Sequence, residues 1–240
     1  IAIGAHFDVF STMYKYGIFS ESANIIHHTS APGQIGIVFP VTLGVTGSAA
    51  SFIKDLAERA AKDKPRKPWF DVAKARAEGE AELQTALQPQ ADPIQPQFVA
   101  HMIRKVLPQN GILVVDAGNG GKHVRSYFKS YEPDTFMCID DWASVGGSLP
   151  IAMGARLARP DRPVLCASGD MGAMCNIGEL ETAVRENIPV IYVVFNDQGL
   201  GNERAFQNEH FGGRYFAVDY KNPDFGALAR VFGAHGEHVT

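Results

Sequence analysis

Cysteine is scarce in this chain: Cys138, Cys166 and Cys175 are the only three, and no two form a CxxC pair. They read as reduced, buried thiols rather than a disulfide framework, which suits a reducing compartment and a cytoplasmic protein. No apolar run approaches the roughly 20 residues that a membrane-crossing helix needs, so no membrane partner is expected. Positive charge is in deficit, with 22 Lys and Arg against 26 Asp and Glu and a net charge of -4. That balance argues against a nucleic-acid or anionic-membrane surface. An initiator methionine is also missing. The chain opens on Ile1-Ala2-Ile3-Gly4-Ala5, a strand and its turn, and reads as a piece of a longer protein rather than a natural start or a signal peptide.

Hydrophobic residues and glycine are plentiful. A hydrophobic content of 45% over 240 residues is ample for a core, and 24 glycines suit the turns of an α/β fold. The stretch that organises the chain runs from Val164 to Asp197. Val164-Leu165-Cys166-Ala167 is a short strand-like run that enters Gly169-Asp170-Met171-Gly172. Ile177, Leu180, Ala183 and Val184 then recur at helical spacing, with Glu181, Arg185 and Glu186 opposite. Asn187 and Pro189 end the helix. Val190 to Phe195 is a continuous apolar run, the pattern of a strand buried on both faces of a parallel sheet. A strand–helix–strand unit puts Asp170 and Asp197 at the carboxyl ends of two parallel strands, where open α/β sheets bind ligands. Two carboxylates there suit Mg²⁺, which prefers oxygen ligands and shares them with phosphates. The amides of Met171 and Gly172, at a helix start, favour an anion.

A second glycine-rich turn follows the strand Ile112 to Val115 and reads Asp116-Ala117-Gly118-Asn119-Gly120-Gly121-Lys122. It misses a P-loop, which needs Gly at 116 and Ser or Thr at 123, and a dinucleotide fingerprint, which needs a third Gly at 123. A third candidate segment is Trp142-Ala143-Ser144-Val145-Gly146-Gly147-Ser148-Leu149-Pro150, with Pro150 suited to the first turn of a helix from Ile151 to Ala158. Before these, Phe98, Met102, Ile103 and Val106 trace a helical face ending near Pro108. After them come a turn at Gln198-Gly199-Leu200-Gly201 and a short polar helix from Asn202 to Phe211. Val231-Phe232-Gly233-Ala234 reads as the start of another core element.

Gly169-Asp170 through Asn196-Asp197 resembles the thiamine diphosphate-binding motif, GD-G followed some two dozen residues later by NN. The whole chain is most similar to the acetolactate synthase-like family of 2-oxo-acid decarboxylases and carboligases. Two positions depart from the motif: Met171 stands at its third glycine and Asp197 at its second asparagine. The resemblance implies a mostly parallel α/β sheet flanked by helices, preceded by part of a Rossmann-like middle domain. It implies thiamine diphosphate and Mg²⁺ as cofactors. Gly118 and Asn119 would face the diphosphate, Val145 would wedge between the cofactor rings, and Ala143 would offer its carbonyl to the aminopyrimidine. Gly169, Asp170, Met171, Gly172, Asp197 and Gly199 would surround the Mg²⁺-diphosphate, with Asp170, Asp197 and the Gly199 carbonyl on the metal. Glu203, Arg204 and His210 lie where the family places substrate-facing residues.

By the same resemblance, residues 1–61 are the C-terminal part of the middle domain, 62–92 a linker, and 93–240 the diphosphate-binding domain, truncated at its end. The middle-domain likeness runs through Phe7-Asp8, the Ile25-Ile26 strand and Gln34-Ile35-Gly36, followed by a helix from Ser51 to Ala61. His28, Thr29 and Ser30 stand where flavin-binding members carry acidic residues, so FAD is not expected. His27 and His28 are adjacent on a strand and point to opposite faces, which disfavours a shared metal. The linker is rich in charge and proline, from Pro65 and Pro68 to Pro89, with a surface helix within Trp69 to Leu87. The expected substrate is a small 2-oxo acid. The expected assembly is a homodimer or homotetramer, because the family binds its cofactor between two subunits. The glutamate that activates the cofactor is expected on an N-terminal domain outside this chain, since Glu179 and Glu181 lie on the diphosphate side. The alternatives are a nucleotide-binding oxidoreductase built on the Asp116 to Lys122 turn, and a non-catalytic chain that retains the fold.

Overall fold

The computed structural model describes residues 1–7, 12, 16–64, 70–87, 92–139 and 143–239. Asp8, Pro65, Pro68, Trp69, Pro89 and Trp142, all used in reading the sequence, lie outside them. The chain divides into two compact units, Ile1–Asp71 and Val72–Thr240.

The first unit carries a three-stranded parallel sheet of β1 (Ala2–Ile3), β2 (Ile26–Thr29) and β3 (Leu43–Thr46), in the order β1-β2-β3. Helix α1 (Ala49–Ala60) follows, capped by the Ser48 side chain accepting from the Ser51 amide. His27 and His28 are both buried. His27 Nε2 bonds the Ala5 carbonyl at 2.9 Å, whereas the His28 ring stacks on Phe52. Their environments differ as alternate strand positions require. Ile53 and Leu56, read as part of an inward apolar face, are exposed, and α1 buries none of its residues among those described.

The second unit begins with α2 (Val72–Ala86), an exposed helix within the stretch read as linker. Lys129 Nζ reaches Glu80 at 2.6 Å, tying that helix to the rest of the unit. The remaining elements are α3 (Pro96–Val106), β4 (Ile112–Val115), α4 (Asn119–Tyr127), β5 (Phe136–Cys138), α5 (Ser148–Ala158), β6 (Val164–Gly169), α6 (Asp170–Asn176), α7 (Glu179–Arg185), β7 (Ile191–Phe195), α8 (Gly201–Phe211) and α9 (Phe225–Val231). All pairings are parallel, in the order β5-β4-β6-β7.

Alternation along the central strands builds the core. Ile112, Val114, Val164 and Cys166 face Leu149, Met153, Leu180 and Ala183. Leu113, Val115, Leu165 and Ala167 face Ala100, Ile103, Leu107 and Val124. Each large aliphatic side chain buried this way contributes about 1.5–3 kcal/mol. Strands covered on both faces read as unbroken apolar runs, which is why β4 and β6 were legible.

The chain leaves β4 to form β5 on one side, then crosses to form β6 on the other. The carboxyl ends of β4 and β6 are therefore the switch point of the sheet, the place where such sheets open a crevice for ligands.

Six expectations are corrected. The inward stripe of α3 is Ala100, Ile103 and Leu107, while Val106 is exposed, one position off the predicted face. Helix α5 starts at Ser148, three residues before the expected Ile151, and Pro150 is its third residue, still in the first turn. The helix expected after Asp170 is two helices broken at Ile177 and Gly178, a weak helix former, and Val184 is exposed. Strand β7 is only half-buried, with Ile191 exposed, because among the described residues it pairs with β6 alone. Residues 231–234 close a helix rather than open an element: Asp224 caps α9 by accepting from the Ala227 amide, and Gly233 ends it at a φ of 85°. Of the cysteines, only Cys166 is buried, its thiol pushed up to about 12 mainly by desolvation. Cys138, at the end of edge strand β5, and Cys175, on the open side of α6, are exposed, and none of the three forms a disulfide.

Candidate functional site

Three turns meet at the switch point. After β4, Gly118 turns the chain at a φ of 104°, a conformation open to glycine and strained for other residues, and caps α4. A Cβ on Gly121 would lie 2.0 Å from the Asp116 carbonyl oxygen, so α4 starts hard against the end of β4. After β6, Asp170 opens α6 directly. After β7, Asn196, Asp197, Gln198 and Gly199 form the third turn, with Gln198 at a φ of 55°. A Cβ on Gly201 would lie 2.8 Å from Asp197 Oδ2 and 3.2 Å from Asn119 Nδ2, which places these two side chains against the same glycine.

Asp170 is 2% exposed and fully engaged. Its Oδ1 accepts from the Met171 amide at 2.7 Å and from the Tyr220 hydroxyl at 2.8 Å. Its Oδ2 accepts from Asn222 Nδ2 at 2.6 Å. The Met171 amide is therefore spent inside the motif rather than left for an anion. Met171 itself lies in α6 and has no positive φ. A side chain at this motif position costs no backbone strain, because the position is already helical.

Asp197 is open to solvent, yet its carboxyl sits above the ordinary aspartate range. Partial desolvation by the turn is the first cause and the neighbouring Asp170 charge the second; backbone donors from Asp197 and Gly199 oppose them. Like charges held together in this way are relieved by a cation between them. Burial and Asp170 also push the Tyr220 phenol up.

The segment from Ala143 to Gly147 runs past the same site. Ala143 has a φ of 46° and Gly146 a φ of 92°. A Cβ on Gly146 would meet Cys175 Cβ at 2.5 Å and the Gly172 carbonyl oxygen at 3.0 Å, so only glycine fits. Asn176 Nδ2 donates to the Gly146 carbonyl at 2.8 Å. The Gly146 amide donates to both oxygens of Asp116, each at 3.0 Å. Asp116 is fully buried and also accepts from the Ala117 amide at 2.9 Å and from Ser168 Oγ at 2.7 Å. Gly172 is the third glycine of this knot: its Cβ would fall 2.3 Å from Asp116 Oδ2. Val145, next to the anchored Gly146, is 48% exposed and faces no core cluster.

Asp116, Ser168, Asn176, Tyr220 and Asn222 were not picked out from the sequence. A buried Asp ending an apolar strand was the one signal available, for Asp116. The others are polar residues whose partners lie far along the chain. The substrate-facing candidates are placed less tightly. Arg204 pairs with Asp219 and lies over the Tyr215 ring at 4.2 Å. His210 packs on Phe206 at 4.4 Å, and Glu203 is exposed in the first turn of α8. Glu181 pairs with Arg185 at 3.0 Å on the surface.

Residues 116–240 match the family model described as thiamine pyrophosphate enzyme, C-terminal TPP binding domain. The chain belongs to the thiamine pyrophosphate enzymes. Thiamine pyrophosphate is the thiamine diphosphate expected from the motif, and the matched span contains all three turns of the site. The nucleotide-binding alternative falls, because the Asp116 to Lys122 turn lies inside this cofactor domain. Among curated relatives, the chain is 25% identical to the sulfoacetaldehyde acetyltransferase of Castellaniella defragrans over 98% of its own length and 43% of the relative's. It is 29% identical to the probable acetolactate synthase large subunit of Methanococcus aeolicus over 92% of the chain and 39% of that protein. To the acetolactate synthase large subunit of Parasynechococcus marenigrum (strain WH8102) it is 30% identical over 100% of the chain and 39% of that protein. The chain thus spans about two fifths of the length of the curated relatives it matches.

The donor set at the site is chemically suited to a hard cation shared with a diphosphate: a buried carboxylate, an open carboxylate and a backbone carbonyl, all oxygen. Among the described residues, no cluster of three His, Cys, Asp or Glu could hold a metal. A cation here would complete its shell with phosphate or water oxygens. No helix among the described residues is long and apolar enough to cross a membrane.

Proposed function

We propose that the chain is the diphosphate-binding part of a Mg²⁺-dependent 2-oxo-acid decarboxylase or carboligase of the acetolactate synthase type. The observation that carries the reading is the meeting of Asp170, Asp197 and Gly199 at the carboxyl ends of β6 and β7, inside the matched cofactor domain. Asp170, Asp197 and the Gly199 carbonyl would hold Mg²⁺, and Gly118, Asn119, Gly169, Met171 and Gly172 would border the diphosphate. The bound cofactor supplies carbanion chemistry on a carbonyl carbon, with its thiazolium ring as electron sink. This chain's contribution is to bind and orient. Asp116 fixes the Gly146 amide, and Val145 and Ala143 are thereby held where the family bends the cofactor. The relatives named acetolactate synthase favour a small 2-oxo acid as donor, and the relative named sulfoacetaldehyde acetyltransferase, whose name gives an aldehyde instead, extends the candidates to other small carbonyl compounds. A homodimer or a tetramer of dimers is part of the same proposal, and sedimentation of the full-length protein checks it. The deciding experiment is CO₂ release by the full-length protein from pyruvate and a panel of other 2-oxo acids. Dependence on both thiamine diphosphate and Mg²⁺ is expected; turnover indifferent to both would overturn the proposal.

Val145→Ala should lower kcat on the order of 10-fold while changing cofactor affinity much less, since orientation rather than contact is lost. Steady-state kinetics and calorimetry on the same preparation separate the two.

Asp197 gives a pH test. Its folded carboxyl is raised, so the ionised form is disfavoured in the fold. Without cation it detracts from stability at pH above its folded value, and that penalty disappears below the unfolded value of 3.8. Mg²⁺ needs the ionised form. Its affinity should therefore begin to fall, on acidification, at a higher pH than an ordinary aspartate would cause. Asp197→Asn keeps an oxygen ligand and should bind the cofactor at neutral pH, lose that part of the pH dependence and melt no lower than the parent without cation. Calorimetric titrations across pH, with melts alongside, check all three.

A further inference from the structure

We infer that Tyr220 and Asn222 are positioning residues of the cation site: the segment from Val218 to Asn222 clips the turn carrying Asp197 and Gly199 onto Asp170. The inference rests on the proposed metal reading and adds residues outside the family motif. Its first support is backbone pairing. The Leu200 amide donates to the Val218 carbonyl at 2.8 Å, and the Tyr220 amide donates to the Gln198 carbonyl at 3.1 Å. Gly199 and Asp219 form an antiparallel bridge. The fit is close: a Cβ on Gly199 would lie 2.8 Å from the Val218 carbonyl oxygen, so the turn can take the clip only as glycine.

The second support is where the two side chains end. The Tyr220 hydroxyl lies 2.8 Å from Asp170 Oδ1 and 3.2 Å from the Gly199 carbonyl oxygen. Asn222 Nδ2 lies 2.6 Å from Asp170 Oδ2 and 2.8 Å from Asn196 Oδ1. Each side chain thus spans from the β6 turn to the β7 turn. Together they set the distance between two groups proposed to share one cation. A hydroxyl has a single proton, so Tyr220 serves one of its two acceptors at a time and can hold Asp170 while the Gly199 carbonyl turns to a cation. Ligating carboxylates are characteristically held in this way by donors behind them, and losing such a donor costs on the order of 10–100-fold in metal affinity. Arg204 anchors the far side of the clip through its ion pair with Asp219.

The test uses the full-length protein with thiamine diphosphate present. Mg²⁺ affinity is measured by calorimetry for Tyr220→Phe, Asn222→Ala and Asp170→Ala. Mn²⁺ paramagnetic resonance reports the symmetry of the bound ion. Tyr220→Phe and Asn222→Ala should each bind Mg²⁺ about 10–100-fold more weakly and broaden the Mn²⁺ lines. Tyr220→Phe, which leaves Asp170 Oδ1 its Met171 amide, should also melt close to the parent without cation. Unchanged or tighter Mg²⁺ binding by Tyr220→Phe would overturn the inference, the tighter case marking the hydroxyl as a competitor. An unchanged Mn²⁺ spectrum despite weaker binding would assign the loss to general destabilisation and overturn it equally. Normal Mg²⁺ binding by Asp170→Ala would instead remove the underlying metal reading, so the two failures are distinguishable.

Discussion

Asp170→Ala in the full-length protein should lose Mg²⁺-dependent binding of thiamine diphosphate by about 100-fold or more. The residue contributes twice. Its carboxylate is the buried half of the proposed donor set, and it is the acceptor on which Tyr220 and Asn222 converge. Truncation removes a ligand and takes the acceptor from three donors. Tyr220 and Asn222 keep the Gly199 carbonyl and Asn196 Oδ1, so the Met171 amide is the group left unsatisfied, at a cost of about 1–3 kcal/mol. The expected result is therefore a loss of both affinity and stability. Calorimetry with cofactor and Mg²⁺, together with a thermal melt, measures them separately. Affinity within a few-fold of the parent would sink the site assignment.

The second large effect is expected at a residue proposed to touch neither the diphosphate nor the cation. Asp116→Ala should destabilise the second unit by about 2–4 kcal/mol, since it strands the Gly146 and Ala117 amides in the interior. It should also lower kcat on the order of 10–100-fold in whatever fraction still folds, because Val145 then sits on an unanchored loop. Asp116→Asn separates the two effects. The amide keeps the volume and one acceptor oxygen, so it should recover most of the stability. It offers the Gly146 amide one oxygen where the parent offers two, so kcat should recover less. Denaturant titration and steady-state kinetics on both variants check this. Full activity in a folded Asp116→Ala protein would show that the loop holds its shape by other means.

Much of this architecture was legible without coordinates. The runs Ile112 to Val115 and Val164 to Ala167 read as strands because both faces of each are covered, which selects aliphatic side chains at every position. The glycines read as turns because Gly118 and Gly146 adopt positive φ, and Gly146 also leaves no room for a side chain. Helix faces were less secure. The α3 stripe was displaced by one residue because Phe98, Met102 and Val106 are as apolar as Ala100 and Leu107, and composition alone cannot say which of two adjacent stripes meets the sheet.

By itself the sequence determined the local alphabet of the site: apolar strands ending in glycine and aspartate, at the spacing of a diphosphate-binding motif. These features are local, set by backbone conformation and by side-chain period, so they can be read in a window of a few residues. Only the tertiary structure decided that among the described residues β7 pairs with β6 alone, and so why its apolar run is half-exposed. Only it decided that Asp116 holds Gly146, 30 residues on, and Ser168, 52 residues on. Tyr220 and Asn222 likewise reach Asp170 across 50 and 52 residues. A hydrogen bond between distant turns leaves no periodicity in the chain, and its partners are chosen by strand order, which places the ends of β4, β6 and β7 side by side.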